Sequence, residues 1–126
     1  MFSIIIVEDN IKLRKRIKKI LLSKCPSLNI EEASDENKAF SEIRKKQPIL
    51  VIIAIRLADN NGLHLAKKIK DQYPHIPVAI NTNHDSSEYK TAAVKVGVDY
   101  FLSKKSNSIN DLVSLTQSIC LRRAEK

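Results

Sequence analysis

The sequence contains, at residues 49–55, the uninterrupted apolar stretch ILVIIAI, which is the strongest strand signal in the chain. β-Branched residues dominate it, and a short run of this composition is typical of a strand buried on both faces of a parallel sheet. Pro48 stands immediately before the stretch, and a polar loop at residues 58–62 follows it. These residues predict a central strand whose carboxyl end leads into a polar loop.

Strand and helix patterns alternate on both sides of this stretch. We predict strands near residues 2–7, 28–33, 49–55, 78–80 and 98–102. A helix signal follows each strand. The first is a basic amphipathic segment at residues 11–24, the second begins with capping residues at 34–35, and the third has apolar positions from 65 to 73. The fourth predicted helix begins at residues 85–88 and stops at Gly97, and the fifth begins with a cap at residues 107–108. Such units predict one α/β domain with a parallel sheet and helices on both faces. We place this domain at residues 1–121 and expect residues 122–126 to form a tail or the start of a linker.

The bulk composition indicates a single globular domain. The 126 residues are 43% hydrophobic and include only two Gly and four Pro. No apolar run approaches the roughly 20 residues that a membrane span needs, and no basic leader precedes the first strand, so we expect a cytoplasmic location without membrane contact. Cys25 and Cys120 belong to no CxxC motif and no His–Cys cluster, so free thiols are expected rather than a disulfide or a metal site.

The excess of positive charge is concentrated in one segment. The chain carries 22 Lys and Arg against 14 Asp and Glu, a net charge of +8, and residues 12–19 read KLRKRIKK. This segment is either the solvated face of an amphipathic helix or a contact surface for an acidic protein, nucleic acid or anionic lipid. Direct nucleic-acid binding rests on charge alone, since no aromatic residues interleave with the cations, and it is the weaker alternative.

Polar residues stand where several of the predicted strands end. Glu8 and Asp9 follow the first strand, Thr82 and Asn83 the fourth, and Lys104 the fifth. Ligands of open parallel sheets gather beyond these carboxyl ends. Adjacent carboxylates suit Mg²⁺, and a lysine and a hydroxyl can hold phosphoryl oxygens. Each residue alone has an ordinary structural explanation, as a helix start, a turn or a solvated lysine, so the weight lies in their joint spacing.

Four segments together resemble the response-regulator receiver domain of bacterial two-component systems. They are residues 6–9, 48–62, 77–82 and 97–104, and the resemblance spans nearly the whole chain. It implies a single flavodoxin-like (βα)5 fold, a doubly wound parallel sheet with the strand order 2-1-3-4-5. It also implies that Thr82, Asn83 and Lys104 line the phosphoryl pocket. Phe101 matches the switch aromatic on the face formed by the fourth helix, the fifth strand and the fifth helix.

The same resemblance assigns a metal site and exposes a departure from the family. Glu8, Asp9 and the backbone carbonyl of Arg56 match the metal-binding positions, and Ala54 occupies the position of the aspartate that accepts phosphate. Alanine offers no nucleophile, so no acyl phosphate can form there. It also removes one oxygen ligand, so we expect at most weak binding of Mg²⁺ and no other cofactor.

The expected function is therefore that of a receiver, or pseudo-receiver, that signals by protein–protein contact and not as an independent enzyme. Its implied partners are a histidine kinase, an output domain or protein, or a second copy bound through the switch face. Two explanations of Ala54 stay open. The domain is a naturally degenerate pseudo-receiver, which further departures at Ala58, Asn81, Asn83 and Lys105 favour, or it is a normally phosphorylated receiver of a transcriptional regulator whose aspartate has been replaced by alanine.

Overall fold

The computed structural model describes residues 2–57, 61–82, 87–103 and 108–124, with the backbone alone at Ser108. Five strands and five helices alternate along these residues. The strands are β1 (Ser3–Val7), β2 (Asn29–Ala33), β3 (Leu50–Ile53), β4 (Val78–Thr82) and β5 (Tyr100–Ser103). The helices are α1 (Ile11–Lys24), α2 (Glu36–Lys46), α3 (Gly62–Gln72), α4 (Ser87–Val96) and α5 (Ser108–Ala124).

All five strands are parallel and lie in the order β2-β1-β3-β4-β5. Val7 of β1 pairs with Ile53 of β3, and Ile53 pairs with Ile80 of β4. The doubly wound fold and its strand order, which the resemblance implied, are therefore confirmed. Because parallel strands end at one edge of the sheet, the residues that follow β1, β3, β4 and β5 are brought to the same side of the domain.

Two apolar clusters cover the two faces of the sheet. Alternate strand residues point to opposite faces, so that Ile5 and Val7 belong to the cluster under α2, α3 and α4, whereas Ile4 and Ile6 belong to the cluster under α1 and α5. Every residue of β1 and β3 is buried. This double burial explains why the strands of this chain read as continuous apolar runs instead of alternating ones.

The helix boundaries follow from the capping residues. Asn10 Oδ1 accepts a hydrogen bond from the N–H of Leu13 (3.0 Å) at the start of α1, and Asp35 Oδ1 accepts one from Lys38 (2.8 Å) at the start of α2. Gly97 ends α4 at φ 88°, and the N–H of Val98 then donates to the carbonyl oxygen of Ala93 (3.0 Å). That pattern is a Schellman motif, so the predicted stop at Gly97 is confirmed.

Some predicted boundaries differ from the observed ones. β3 ends at Ile53, two residues earlier than expected, because the carbonyl oxygen of Ile55 accepts from the N–H of Gly62 and the chain turns away from the sheet. β5 begins at Tyr100 and not at residue 98. The predicted helix signals at 85–86 and 107 lie outside the described residues.

The last helix extends beyond the boundary that we placed at residue 121. α5 continues to Ala124, and the guanidinium of Arg122 donates from Nη2 to the hydroxyl of Tyr100 (3.2 Å), which attaches this final turn to β5. Residues 122–124 are therefore helical instead of forming a tail. None of the described helices combines the length and the apolar composition that a bilayer crossing requires.

Candidate functional site

The carboxyl end of β1 presents two adjacent acidic residues. Glu8 is only 5% exposed, and its backbone N–H donates to the carbonyl oxygen of Ala33 (3.0 Å), which extends the pairing with β2 by one residue. Its Oε2 accepts a hydrogen bond from the backbone N–H of Asn10 (3.2 Å). Asp9 is half-buried. The Glu8 carboxylate is thus already engaged with the chain that enters α1, while Asp9 keeps part of its surface in solvent.

Ala54 lies directly beside this acidic pair. Its backbone N–H donates to the carbonyl oxygen of Val7 (3.0 Å), which places it level with Glu8 on the neighbouring strand. The residue is 6% exposed. Its methyl group is neither a nucleophile nor an oxygen ligand, so the central position of this sheet edge is chemically inert.

Residues 61–62 lie close to the described residues that follow β3. Arg56 and Asn61 form an isolated antiparallel bridge, and the N–H of Gly62 donates to the carbonyl oxygen of Ile55 (2.5 Å). A Cβ atom at position 62 would collide with the backbone carbonyl of Ala54. Only glycine fits there. The side chain of Arg56 itself is exposed.

Two hydroxyl residues meet at the ends of β4 and β5. Thr82, the last residue of β4, is 2% exposed and pairs in register with Ser103, the last residue of β5. Directly paired residues of parallel strands point to the same face of a sheet. Ser103 was not among the predicted site residues, although the parallel register and its position just before Lys104 could have indicated it.

Asn81 precedes Thr82 in β4, and its side chain is also buried. The residue is 3% exposed, and its Oδ1 has no hydrogen-bond partner among the residues that the structure describes. Because successive strand residues alternate, Asn81 points to the side of α1 and α5, away from the face of Thr82. An amide oxygen that is buried without a hydrogen-bond partner is destabilising by about 1–3 kcal/mol.

Two of the predicted pocket residues cannot be placed. Asn83 and Lys104 lie outside the described residues. The site is therefore described at Glu8, Asp9, Ala54 and Thr82, which the register brings to one edge of the sheet.

Comparison with known proteins decides the family. Residues 4–117 match the model of the response regulator receiver domain. This chain belongs to that family. The receiver domain is 25% identical to a two-component response regulator from Clostridium difficile, with a TM-score of 0.87 and complete coverage of both chains. It also superposes on the receiver domain of the Francisella response regulator 1452, at 24% identity, a TM-score of 0.85 and coverage of 98% and 99%.

Longer proteins contain similar segments. The photosynthetic apparatus regulatory protein RegA of Cereibacter sphaeroides is 26% identical over 84% of this chain and 56% of its own length. A histidine kinase, P4, of Formosa agariphila is 34% identical over 83% of this chain but only 8% of its own length. The chain spans about half the length of the first of these curated relatives, so the receiver domain corresponds to one part of them.

The aromatic residue of β5 is held by the apolar cluster under α2, α3 and α4. Phe101 is half-buried and packs against this cluster together with Tyr89, Ala92 and Val96 of α4. Its ring therefore lies on the face of the sheet that α2, α3 and α4 cover.

The described residues of this receiver domain fit a magnesium ion poorly. Mg²⁺ requires near-octahedral oxygen coordination at short distances. Glu8 already accepts a hydrogen bond, and Ala54 contributes a methyl group where a third carboxylate would complete the set. Glu8 and Asp9 could hold the ion with the backbone carbonyl of Arg56, but nothing among the described side chains replaces the missing ligand.

One half-buried carboxylate of β2 links the basic helix α1 to the sheet. Glu32 accepts from Arg14 Nε (2.8 Å), Lys15 Nζ (2.8 Å) and Lys18 Nζ (3.4 Å). Burial raises the pKa of Glu32, but the three cationic donors outweigh burial and lower it from 4.5 to about 2. Arg14 also donates from Nη1 to the backbone carbonyl of Glu8 (2.6 Å). Sequence reasoning missed this role of Glu32, and the ion pairs engage part of the charge on which the nucleic-acid alternative depends.

Proposed function

We propose that this receiver domain of a two-component response regulator passes its signal through protein contacts, without forming an acyl phosphate at position 54. The observation that carries the proposal is Ala54, which stands level with Glu8 at the carboxyl edge of the sheet. In the family an aspartate takes up phosphate at the end of the third strand. A methyl group at that point cannot attack phosphorus, whatever the surrounding residues do.

The surrounding residues are, in this proposal, remnants of a phosphoryl pocket. Thr82 keeps the hydroxyl at the end of β4, and Asn83 and Lys104 continue from the ends of β4 and β5 along the chain. Glu8, Asp9 and the backbone carbonyl of Arg56 are the remnants of the metal site and bind Mg²⁺ weakly at most. Asn81, whose buried Oδ1 has no hydrogen-bond partner among the described residues, is one of the departures that support the degenerate state.

The contact surface that we infer is the face of α4, β5 and α5. Phe101 of β5 is half-buried, and Val94 exposes 76% of its surface on α4, the helix that contributes Ala93 to the apolar cluster against which Phe101 packs. Receiver domains interact with histidine kinases and output domains, and the similar transcriptional regulators carry such a domain within a longer chain. We therefore propose a protein partner on this face, either a kinase, an output domain or a second receiver.

The proposal predicts an unresponsive site. Addition of beryllofluoride, or of acetyl phosphate, with Mg²⁺ is expected to leave the amide NMR resonances of Thr82, Phe101 and Ser103 unchanged, because no carboxylate is available at position 54 to hold the phosphoryl group or its mimic. Saturable shifts of these resonances at sub-millimolar phosphodonor would contradict it. Mg²⁺ alone serves as the control, since it reports on the acidic pair separately.

A matched variant separates the two explanations of Ala54. The retained acidic pair and Thr82 are what a normally phosphorylated receiver with a replaced aspartate would keep. In that case Ala54→Asp restores labelling by acetyl phosphate. The label is detected as an acid-stable, hydroxylamine-sensitive mass increase of one phosphoryl group. In a degenerate pseudo-receiver the same variant stays unlabelled, because other pocket positions have also changed. We expect the second result. Rapid stoichiometric labelling of Ala54→Asp would establish the normally phosphorylated receiver instead.

A further inference from the structure

Both cysteines of the chain lie at the seam between α1 and α5. Cys25 follows the last residue of α1, and Cys120 lies in the last turns of α5 next to the buried Ile119. Each is half-buried and packs against the apolar cluster under α1 and α5. The two helices are in direct contact. Residues that are far apart in the sequence are thus brought to one interface.

The two residues also stand at similar depths along this interface. Both helices follow parallel strands and run in the same direction, and at 1.5 Å per residue Cys25 lies about 21 Å from the start of α1 and Cys120 about 18 Å from the start of α5. Helix axes packed about 8–10 Å apart, with Cα atoms about 2.3 Å from each axis, bring facing Cα atoms to about 3.4–5.4 Å from each other. A disulfide needs Cα atoms about 4.4–6.8 Å apart, and this range overlaps the separation that helix packing provides.

The electrostatics of the pair agree with this proximity. Burial raises the pKa of the Cys120 thiol, and negative charge on Cys25 raises it further. One sulfur can affect the other in this way only over a short distance, because charge interactions weaken with separation and are screened by solvent.

We propose that Cys25 and Cys120 form an intramolecular disulfide on oxidation, so that the pair is a redox-responsive staple between α1 and α5. The chain contains two cysteines in all, so no other intramolecular bond competes. Both are free thiols in this structure, which corresponds to the reduced form. Cys25 is the C-cap of α1: its backbone N–H donates to the carbonyl oxygen of Leu21 (2.8 Å), and its own carbonyl oxygen accepts from the N–H of Leu28 (3.1 Å) in the turn that follows.

The oxidant is a small disulfide such as glutathione disulfide, and the reaction is a double exchange. The Cys25 thiolate attacks one sulfur of glutathione disulfide, a mixed disulfide forms between Cys25 and glutathione, and the other glutathione leaves as a thiolate that takes up a proton. Cys120 then loses its proton, and its thiolate attacks Sγ of Cys25 in the mixed disulfide. The second glutathione leaves as a thiolate and also takes up a proton. Two protein thiols are oxidised and one disulfide is reduced to two thiols. The raised pKa of Cys120 makes it the poorer first nucleophile, which places Cys25 first.

The staple would act on the helix that forms one side of the proposed contact face. α5 packs on both α1 and β5, so a bond near its end limits how far it can move relative to the sheet. This control requires neither a carboxylate nor a metal at the carboxyl edge of the sheet. Its failure would leave the proposed function untouched.

The test is oxidation of the folded chain with glutathione disulfide, followed by intact-mass analysis under non-reducing conditions. We expect a monomer lighter by two hydrogens, with a yield that is independent of protein concentration and that falls at least tenfold in urea, where the fold no longer holds the two sulfurs together. Peptide mapping should join the segments that contain Cys25 and Cys120, and the urea midpoint of the oxidised form should rise.

Single-cysteine variants give matched controls. Cys120→Ser should stop at the mixed disulfide of Cys25, with a mass increase of one glutathionyl group, and Cys25→Ser should react more slowly than Cys120→Ser. Three results would overturn the proposal: no change in mass of the folded wild-type chain, disulfide-linked dimers whose share rises with protein concentration, or glutathionylated monomer as the final product.

Discussion

Gly62→Ala is expected to lower the free energy of unfolding by about 3 kcal/mol or more, enough to leave a large fraction of a marginally stable domain unfolded. The added Cβ would collide with the backbone carbonyl of Ala54. Such a contact differs from ordinary overpacking, because the opposing atom belongs to the backbone at the end of β3 and cannot move to another rotamer. Relief would require breaking the hydrogen bond from the N–H of Gly62 to Ile55 (2.5 Å).

Gly97→Ala is the matched control for this prediction. Gly97 has φ 88°, so alanine there is strained by about 1–2 kcal/mol, but the nearest atom to its Cβ is Lys70 Cγ at 3.9 Å and no collision occurs. Urea denaturation followed by far-UV circular dichroism should therefore give a much lower free energy of unfolding for Gly62→Ala than for Gly97→Ala. Equal losses of stability in the two variants would mean that the loop over Ala54 relaxes, contrary to the packing described above.

Glu32→Gln is expected to lower the stability at neutral pH by about 2–3 kcal/mol and to remove much of the acid sensitivity of the domain. The pKa of Glu32 is lowered from 4.5 to about 2 in the folded state, so its ionised form stabilises the fold at pH values above 4.5. That contribution declines as the pH falls from about 5 to about 2. Lys15 is 61% exposed, so solvent screens its ion pair with Glu32. We therefore expect a loss of stability smaller than the free energy that corresponds to the full pKa difference.

The neighbouring Glu31 gives a sharp comparison. It pairs with Lys46 at 3.8 Å, and its side chain is 30% exposed, so Glu31→Gln should alter the stability by less than about 1 kcal/mol. Urea titrations of both variants and the wild type at pH 7, 5 and 3 test the prediction. The wild type and Glu32→Gln should converge as the pH falls, and a constant difference between them across this range would show that Glu32 acts through packing and not through its charge.

Much of the fold could be predicted because it depends on local patterns. The continuous apolar stretch at residues 49–55 and the alternation of strands with helices indicate a parallel sheet from composition and spacing alone. Helix ends were also predictable where a single residue decides them, as at Asp35 and Gly97. The carboxyl end of β3 was not predictable, because it depends on the hydrogen bond between Gly62 and Ile55. No local pattern in the sequence indicates that these two residues come together.

The candidate site was predictable in outline only. Parallel strands bring their carboxyl ends together, so Glu8, Ala54 and Thr82 could be assigned to one edge of the sheet from the sequence. The three cationic partners of Glu32 depend on the packing of α1 against β2. The buried Oδ1 of Asn81, which has no partner among the described residues, depends on the surroundings of β4. No periodicity in the chain distinguishes a half-buried glutamate that pairs with three cations from an ordinary solvated one, and the stretch NIEEA at residues 29–33 reads as a weak strand.

Arg14 shows that the positive charges of α1 are not interchangeable. Its Nε donates to the carboxylate of Glu32 on β2, and its Nη1 donates to the backbone carbonyl of Glu8 just after β1. A lysine, with one nitrogen, cannot serve both acceptors at that geometry. Lys12, Arg16 and Lys19 are exposed. Replacing those three residues with neutral or acidic ones should therefore give a less basic form of this domain, for crystallisation or for lower nonspecific adsorption. Position 14 has to remain arginine.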